Sequence, residues 1–218
     1  MDIAWYGHAA FRLRGREAAV VMDPCSLERT GFKLNAPGAD IVTISRADDL
    51  AHNWFDGVEF APGGYQGPLN APGEYEIKRV LATGVNTPGP DGTRNVAFVI
   101  TIDEVIVAHL GDLQDMPSRT ALDELQRAHV CLLPIGGSGR HLSATAAATI
   151  ATAIGSRLII PMLYQPEQGD VQTGLERLSA FVQEMGMDIP PPTDNHINVT
   201  PSNLPAATTV APLLARGA

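Results

Sequence analysis

Short apolar runs separated by polar or glycine-containing turns dominate the first half of the chain. The short, largely apolar runs at 3–6, 11–13, 18–22 and 39–45 predict strands. Residues 11–13 and 18–22 flank a polar turn and predict a hairpin. Residues 75–85 are expected to be extended, and 96–102 and 105–108 predict a second hairpin.

Helical spacing of apolar positions appears in the second half, where it alternates with buried strands. The pattern predicts helices at 117–128 and 171–185, with a third that Ser143 caps and that runs to 154. Strands are expected at 130–134 and 158–160. Residues 48–54 have helical composition, residues 190–206 form a surface linker, and 208–214 form a last edge strand. With hairpins early, β-then-α units late and no break in composition, the pattern predicts one α/β domain over 1–218.

Composition narrows the class of protein and the partners it can have. Hydrophobic residues make up 44% and charged residues 18%, and the net charge is −9. This composition is typical of a soluble globular protein, and the acidic balance argues against a nucleic acid or a membrane as partner. No apolar run reaches the roughly 18 residues of a membrane span. Cys25 and Cys131 lie beside apolar runs, so we expect reduced, buried thiols and a cytoplasmic protein.

The most informative polar positions follow the strand at 105–108. His109 and Asp112 lie at its carboxyl end, and Gly111 allows the backbone to turn between them. Open α/β sheets place their chemistry at that edge. The alternative is that Asp112 merely caps the next helix. A glycine-rich stretch at 136–139 lacks the lysine of a phosphate loop and predicts a tight strand-to-helix turn.

Seven segments together resemble the metallo-β-lactamase superfamily, and within it the small bacterial metal-dependent hydrolases similar to L-ascorbate-6-phosphate lactonase. The resemblance covers nearly the whole chain and implies an α/β (α+β) fold, a four-layer αββα sandwich with its site at one edge of the sheets. It also implies a homo-oligomer, since relatives commonly form one. The segments are Tyr6-Gly7-His8, Asp23-Pro24, 39–45, Gly73-Glu74-Tyr75-Glu76, 109–113, 133–137 and 160–164.

The resemblance also implies metal chemistry, which this chain's own residues contradict. In the family a His-x-His-x-Asp-His signature follows the strand at 39–45 and holds one or two zinc or manganese ions that activate water. Arg46 and Asp48 stand at the first two histidine positions. Leu50 replaces the aspartate and Ala51 the third histidine.

Outside that signature a further histidine ligand is replaced by Leu163, whereas Asp112 is retained. His8, Asp23 and His109 match family positions around the pocket. A catalytic zinc needs at least three protein ligands, leucine and alanine offer none, and a guanidinium repels the ion. We therefore expect no catalytic residue, no metal and no cofactor. The resulting hypothesis is a pseudoenzyme that binds a small molecule or a protein partner in a vestigial pocket lined by His8, Asp23, Arg46, Asp48, His109, Asp112 and Leu163.

A second hypothesis keeps an enzyme, a lactone or phosphoester hydrolase with a relocated mononuclear zinc or manganese site. Asp48 and His52 are four residues apart and would share a helix face, where His109 and Asp112 could join them. The plainer interpretation makes Asp48 and Asp49 helix-start acids and leaves His52 exposed.

The pseudoenzyme hypothesis makes a structural prediction about the vacated site. Arg46 should replace the charge of the metal and hydrogen-bond Asp112, because an unpaired buried carboxylate is costly. Leu50, Ala51 and Leu163 should close the remaining volume with apolar contacts.

Overall fold

Two β-sheets form the body of the protein. The computed structural model describes residues 1–137, 139, 141–167 and 171–216. In chain order the strands found there are β1 (Asp2–Gly7), β2 (Ala10–Arg14), β3 (Ala19–Met22), β4 (Gly38–Ala39), β5 (Ile41–Thr43), β6 (Glu59–Phe60), β7 (Pro68–Leu69), β8 (Gly73–Ile77), β9 (Val80–Pro88), β10 (Arg94–Ile102), β11 (Val105–His109), β12 (Val130–Pro134), β13 (Leu158–Met162), β14 (His196–Asn198) and β15 (Thr209–Val210). The helices are α1 (Leu27–Thr30), α2 (Arg119–Leu125), α3 (Ala144–Ile154) and α4 (Leu178–Met185), with 3-10 turns at Phe55–Gly57 and Pro90–Gly92.

Both large sheets are mixed, with antiparallel strand pairs on one side and parallel pairs on the other. One has the order β14-β1-β2-β3-β5-β7 and the other β15-β13-β12-β11-β10-β9-β8, while β4 and β6 form a separate pair. The hairpins β2–β3 and β10–β11 are antiparallel, as the sequence predicted. Strands β11, β12 and β13 are parallel neighbours, so their carboxyl ends meet at one edge.

The main hydrophobic core includes side chains from both sheets, and the large ones Trp5, Phe11, Phe98 and Leu110 are fully buried within it. Helices α2 and α3 pack on β9 and β12 of the seven-stranded sheet. A second apolar cluster joins residues of the six-stranded sheet to Phe32 and others from segment 24–60. The predicted four-layer arrangement is confirmed, although segment 24–60, which supplies the second cluster, contains among the described residues only the one-turn helix α1 and the 3-10 turn at Phe55–Gly57.

Three predicted elements differ from the structure. Residues 48–54 form turns rather than a helix, because the Asp49 carboxylate accepts from the backbone N–H of Ala51 at 3.0 Å and competes with helical bonding. Residues 171–177 are not helical either, since the amide of Gln165 bonds the backbone of Val171 and Thr173, and α4 starts at Leu178. The stretch 190–206, predicted as a linker, contains β14, which pairs with β1.

Other expectations are confirmed. Ser143 Oγ caps α3 by accepting from the N–H of Ala146 at 3.2 Å, and the last edge strand is β15. Both cysteines are free and buried, and burial raises the pKa of Cys25 to about 11 and of Cys131 to about 12. Within the described ranges, no helix combines the length and apolarity needed to cross a membrane.

Candidate functional site: a buried network around Asp112

The turn after β11 places Asp112 at the carboxyl edge of the seven-stranded sheet. The Asp112 N–H donates to Asn95 Oδ1 at 2.9 Å, and Asn95 Nδ2 donates to the Leu110 carbonyl at 2.8 Å. Gly111 adopts φ +60°, and a Cβ there would lie 2.3 Å from Ser45 Cβ. The turn therefore needs glycine, both for its backbone conformation and for its close approach to the segment that follows β5.

Three cationic or titratable side chains contact the Asp112 carboxylate. Arg46 Nη1 donates to Oδ2 at 3.0 Å, and His141 Nδ1 donates to Oδ1 at 2.9 Å. His52 Nε2 lies 3.7 Å from Oδ2. Burial alone would raise the pKa of Asp112, but the His141 hydrogen bond and the charges of His52 and Arg46 outweigh it and lower that pKa. Asp112 is therefore ionised at neutral pH.

Arg46 is buried and joins two carboxylates. Besides its contact with Asp112, Nε and Nη2 donate to the two oxygens of Asp48 at 3.0 and 3.1 Å. The hydrogen bonds to Asp48, together with the charge of Asp112, raise the pKa of Arg46. The predicted contact between Arg46 and Asp112 is present. Asp48 lies on the outer side of the guanidinium, with its side chain largely exposed.

A second histidine–carboxylate pair lies beside the first. His52 Nδ1 donates to Asp23 Oδ2 at 2.8 Å, and Asp23 also accepts from the N–H and the hydroxyl of Ser45. Burial would lower the pKa of His52, but the hydrogen bond to Asp23 prevails and raises it. His52 is almost fully buried, so the expectation that it is exposed was wrong.

His8 contributes a third imidazole. Its ring lies 4.8 Å from that of His52 in an edge-on contact. Within the described part of the chain, its buried Nδ1 has no hydrogen-bond partner. Burial, reinforced by His52, lowers the pKa of His8 well below its usual range, so this imidazole is neutral.

The relocated metal site proposed from the sequence is not assembled. His109 is fully buried, its Nε2 donates to the Ala9 carbonyl at 2.8 Å, and its Nδ1 accepts from the N–H of Gly111. Both ring nitrogens are therefore occupied by the backbone. Asp48 lies beyond Arg46, and the helix that would have aligned it with His52 is absent. Asp48, His52, His109 and Asp112 therefore do not form the mononuclear metal site suggested by the sequence.

A polar cavity of about 370 Å³ opens beside this network. The apolar closure predicted from the sequence is wrong, because Leu50 is half exposed on an outward turn and Leu163 is buried in the main core. Ala51 does line the cavity. Its other lining residues are His8, Glu28, Arg29, Thr30, Gly31, Asp49, His52, Asp112, His141, Gln172, Thr173 and Leu175.

His141 is the functional residue that the sequence argument missed. It follows the turn after β12, the parallel neighbour of β11, and so reaches the same sheet edge as Asp112. The sheet-edge argument applied to residues 109–112 could have located it. The connection from β12 to α3 spans residues 135–143, longer than the tight turn expected at 136–139, and Gly136 in it packs closely, since a Cβ there would lie 1.8 Å from the Leu163 carbonyl oxygen. Ser138 lies outside the described residues.

The side chains present do not fit a catalytic metal ion. Searched over the described residues, the histidine, cysteine and carboxylate side chains form no cluster of three or more that could hold one. Both Asp112 oxygens accept hydrogen bonds, one from a guanidinium, and His52 Nδ1 is bonded to Asp23. A zinc or manganese ion bound at Asp112 would have to displace the Arg46 cation.

Known proteins resemble this chain over most of its length. Residues 2–163 match the family of the beta-lactamase superfamily domain. A UPF0173 metal-dependent hydrolase of Methanoculleus marisnigri is 30% identical over 185 residues, which are 75% of this chain and 81% of that protein. Another, from Methanoregula boonei, is 29% identical over 88% of this chain and 99% of its own length. The crystal structure of a proposed Zn-dependent hydrolase of the metallo-β-lactamase superfamily from Thermotoga maritima matches with a TM-score of 0.77 and 25% identity, covering 97% of each chain.

Proposed function

The chain belongs to the beta-lactamase superfamily and, within it, to the UPF0173 metal-dependent hydrolases. We propose that, in contrast to the metal dependence in that family's name, this chain works without metal and binds a small polar molecule. Its ligand occupies the cavity beside Asp112. The observation that carries the proposal is the buried ion pair of Arg46 and Asp112, at 3.0 Å.

The ion pair supports metal independence because a fixed guanidinium supplies the positive charge that an ionised Asp112 requires. Arginine remains protonated at every physiological pH, so its charge is permanent. Leu163 and Ala51 add no lone pairs. Two of the imidazoles are used within the network, His52 by Asp23 and His141 by Asp112.

The cavity supports a small-molecule ligand over a protein partner. It is concave, with a volume of about 370 Å³, and the small-ligand sites of proteins are typically clefts of roughly 300–1,000 Å³. The amide of Gln172 can hydrogen-bond a polar ligand. The hydroxyls of Thr30 and Thr173 already donate, to the Ser26 carbonyl and to Gln165 Oε1, and can only accept from it.

Metal analysis of protein purified without chelators tests metal independence. We expect no stoichiometric zinc or manganese, and no family-like hydrolysis of lactones or phosphodiesters after either metal is added. We also expect an unchanged melting temperature in EDTA, because an ion that is not bound cannot contribute to stability. About one equivalent of metal after dialysis, absent from Asp112→Asn, would contradict the proposal.

Ligand binding is tested by thermal shift against a collection of small polar molecules. A true ligand stabilises the folded state by mass action and raises the melting temperature. Because Ala51 lines the cavity, Ala51→Trp should fill it and abolish that rise. A rise that persists in Ala51→Trp would place the ligand elsewhere.

A further inference from the structure

A second concave surface lies near the proposed ligand cavity, and its walls are largely apolar. It is a groove of about 600 Å³ whose lining includes Leu27, Leu34, Trp54 and Val58. Leu34 and Val58 are buried, whereas Leu27 is half exposed. A small polar ligand confined to the cavity beside Asp112 would leave this groove unused.

The groove and the cavity are built from the same two segments of the chain. In the segment that contains α1, residues 28–31 line the cavity and residues 33–36 line the groove. In the segment that follows β5, Ala51 lines the cavity and residues 56–59 line the groove. The two concave surfaces are therefore neighbours, and the one-turn helix α1 lies between them.

The ridge that separates them carries two leucines. The N–H of Ser26 donates to the Leu50 carbonyl at 3.0 Å, which brings Leu50 close to Leu27, the first residue of α1. On the cavity side of this ridge, Arg29 Nη2 lies 3.7 Å from Asp49 Oδ1. Leu27 and Leu50 are each half exposed, so an apolar chain that crosses the ridge would remove their surface from water.

The cavity itself is rich in hydrogen-bond acceptors. The carboxylates of Glu28 and Asp49 can accept, and so can the hydroxyls of Thr30 and Thr173, whose hydrogens are already donated within the protein. The amide of Gln172 both donates and accepts. A ligand head with several hydroxyls suits this wall, because a hydroxyl can donate to the acceptors and can itself accept from the amide.

We infer that the cavity and the groove together bind one single-chain amphiphile, with a hydroxyl-rich head in the cavity and an alkyl tail that crosses the ridge into the groove. This inference deepens the proposed binding function and rests on it, because the head occupies the same cavity. A helix is about 10 Å across and an extended chain advances about 1.2 Å per bond, so the tail needs roughly eight carbons.

Calorimetric titration of the full chain with n-alkyl β-D-glucosides in EDTA, below the concentrations at which they form micelles, tests the inference. We expect octyl glucoside to bind far more tightly than methyl glucoside, which has the head alone. Between hexyl and decyl glucoside the affinity should rise about fourfold for each added CH₂, as burial of the tail requires.

Tryptophan fluorescence locates the tail. Trp54 lines the groove and is partly exposed, whereas Trp5 is buried in the main core. Octyl glucoside should therefore shift the emission of Trp54 to shorter wavelength, because the tail removes water from the ring. Trp54→Phe should abolish this shift while calorimetry still detects binding.

Two leucine variants separate the ridge from general hydrophobic binding. Leu27→Asp should lower the affinity for octyl glucoside at least about fivefold, because the tail then meets a charge instead of apolar surface. An acidic residue is favourable in the first turn of a helix, so the variant should fold. Leu81→Asp is the matched control, since Leu81 is also 50% exposed but lies on β9, away from both sets of lining residues, and it should leave the affinity unchanged.

The outcomes distinguish this inference from the proposed function. Octyl glucoside that binds no more tightly than methyl glucoside, or equal losses in Leu27→Asp and Leu81→Asp, overturns the inference and leaves the binding of a polar molecule intact. Binding of octyl glucoside that is unchanged in Ala51→Trp would place the whole amphiphile outside the cavity, which also overturns the inference. The metal independence of the proposed function fails separately, through metal retained after dialysis.

Discussion

Of the residues at the site, Arg46 is the one whose removal should lower the stability of the protein most. Its side chain and that of Asp112 are both nearly inaccessible to water. Arg46→Ala should lower the free energy of unfolding by about 3 kcal/mol, the lower end for breaking a buried pair, because His52 and His141 still contact Asp112. Urea denaturation measures this loss in the free energy of unfolding.

The double variant Arg46→Ala with Asp112→Ala isolates the pair interaction. We expect it to recover at least about 1 kcal/mol relative to the sum of the single changes, because no lone carboxylate remains buried. Asp48→Ala is a suitable control, since Asp48 is largely exposed and should cost less than about 1 kcal/mol. Strictly additive single changes would show that Asp112 does not depend on Arg46.

The pairing of Arg46 with Asp112 could be predicted at this scale because a buried carboxylate demands a counter-charge whatever the details of the fold. The burial of His52 could not. It depends on Asp23, which lies 29 positions earlier and reaches the imidazole only when β3 and β5 pair. His141 was missed for a related reason, since its partner Asp112 lies on a different strand–turn unit.

At the scale of elements, the turn after β11 depends on the absence of a side chain at Gly111. A Cβ there would meet Ser45 Cβ at 2.3 Å and Asn95 Oδ1 at 2.5 Å. Gly111→Ala should therefore cost about 2–4 kcal/mol of stability, from left-handed backbone strain together with overpacking.

Gly92→Ala provides the matched comparison for that measurement. Gly92 has φ +72°, yet a Cβ added there would have no other atom within 4 Å, so only the backbone cost of about 1 kcal/mol applies. Equal losses in the two variants would contradict the close-approach argument.

Elements that local patterns specify were predicted well, and those that depend on distant partners were not. The Ser143 cap and the β2–β3 hairpin lie within short stretches of sequence. By contrast, β14 is short and largely polar, and it is a strand because β1 offers it an unpaired edge. Likewise, Gln165 holds residues 171–173 out of the helix that their composition favours.

Over the whole molecule, buried histidines should make stability fall as the pH is lowered from 6.5 to 5. Burial lowers the pKa of His8 and of His109, so their contribution is complete above their unfolded pKa near 6.5 and is lost as the pH falls toward their folded values. His52 acts oppositely, but its raised pKa makes its contribution complete below pH 6.5 and variable only above that pH. It therefore does not offset the losses from His8 and His109 between pH 6.5 and 5.

The slope of stability against pH shows which residues cause the fall. Each histidine that stays neutral when folded contributes up to about 1.4 kcal/mol per pH unit. His109→Gln should make the dependence between pH 6.5 and 5 shallower, as measured by urea denaturation at each pH. Stability that is flat or rises over this range in wild type would show that these imidazoles are not held neutral.

The order in which the chain is synthesised matters for how the two sheets are completed. Ile3 on β1 pairs with Ile197 on β14, and β13 receives its outer neighbour β15 from residues 209–210. Until residues 196–210 leave the ribosome, β1 and β13 expose unpaired backbone edges on which other chains could add. Such long-range pairing is also slow. The nascent protein must therefore keep both sheets without these outer strands until residues 196–210 have been synthesised.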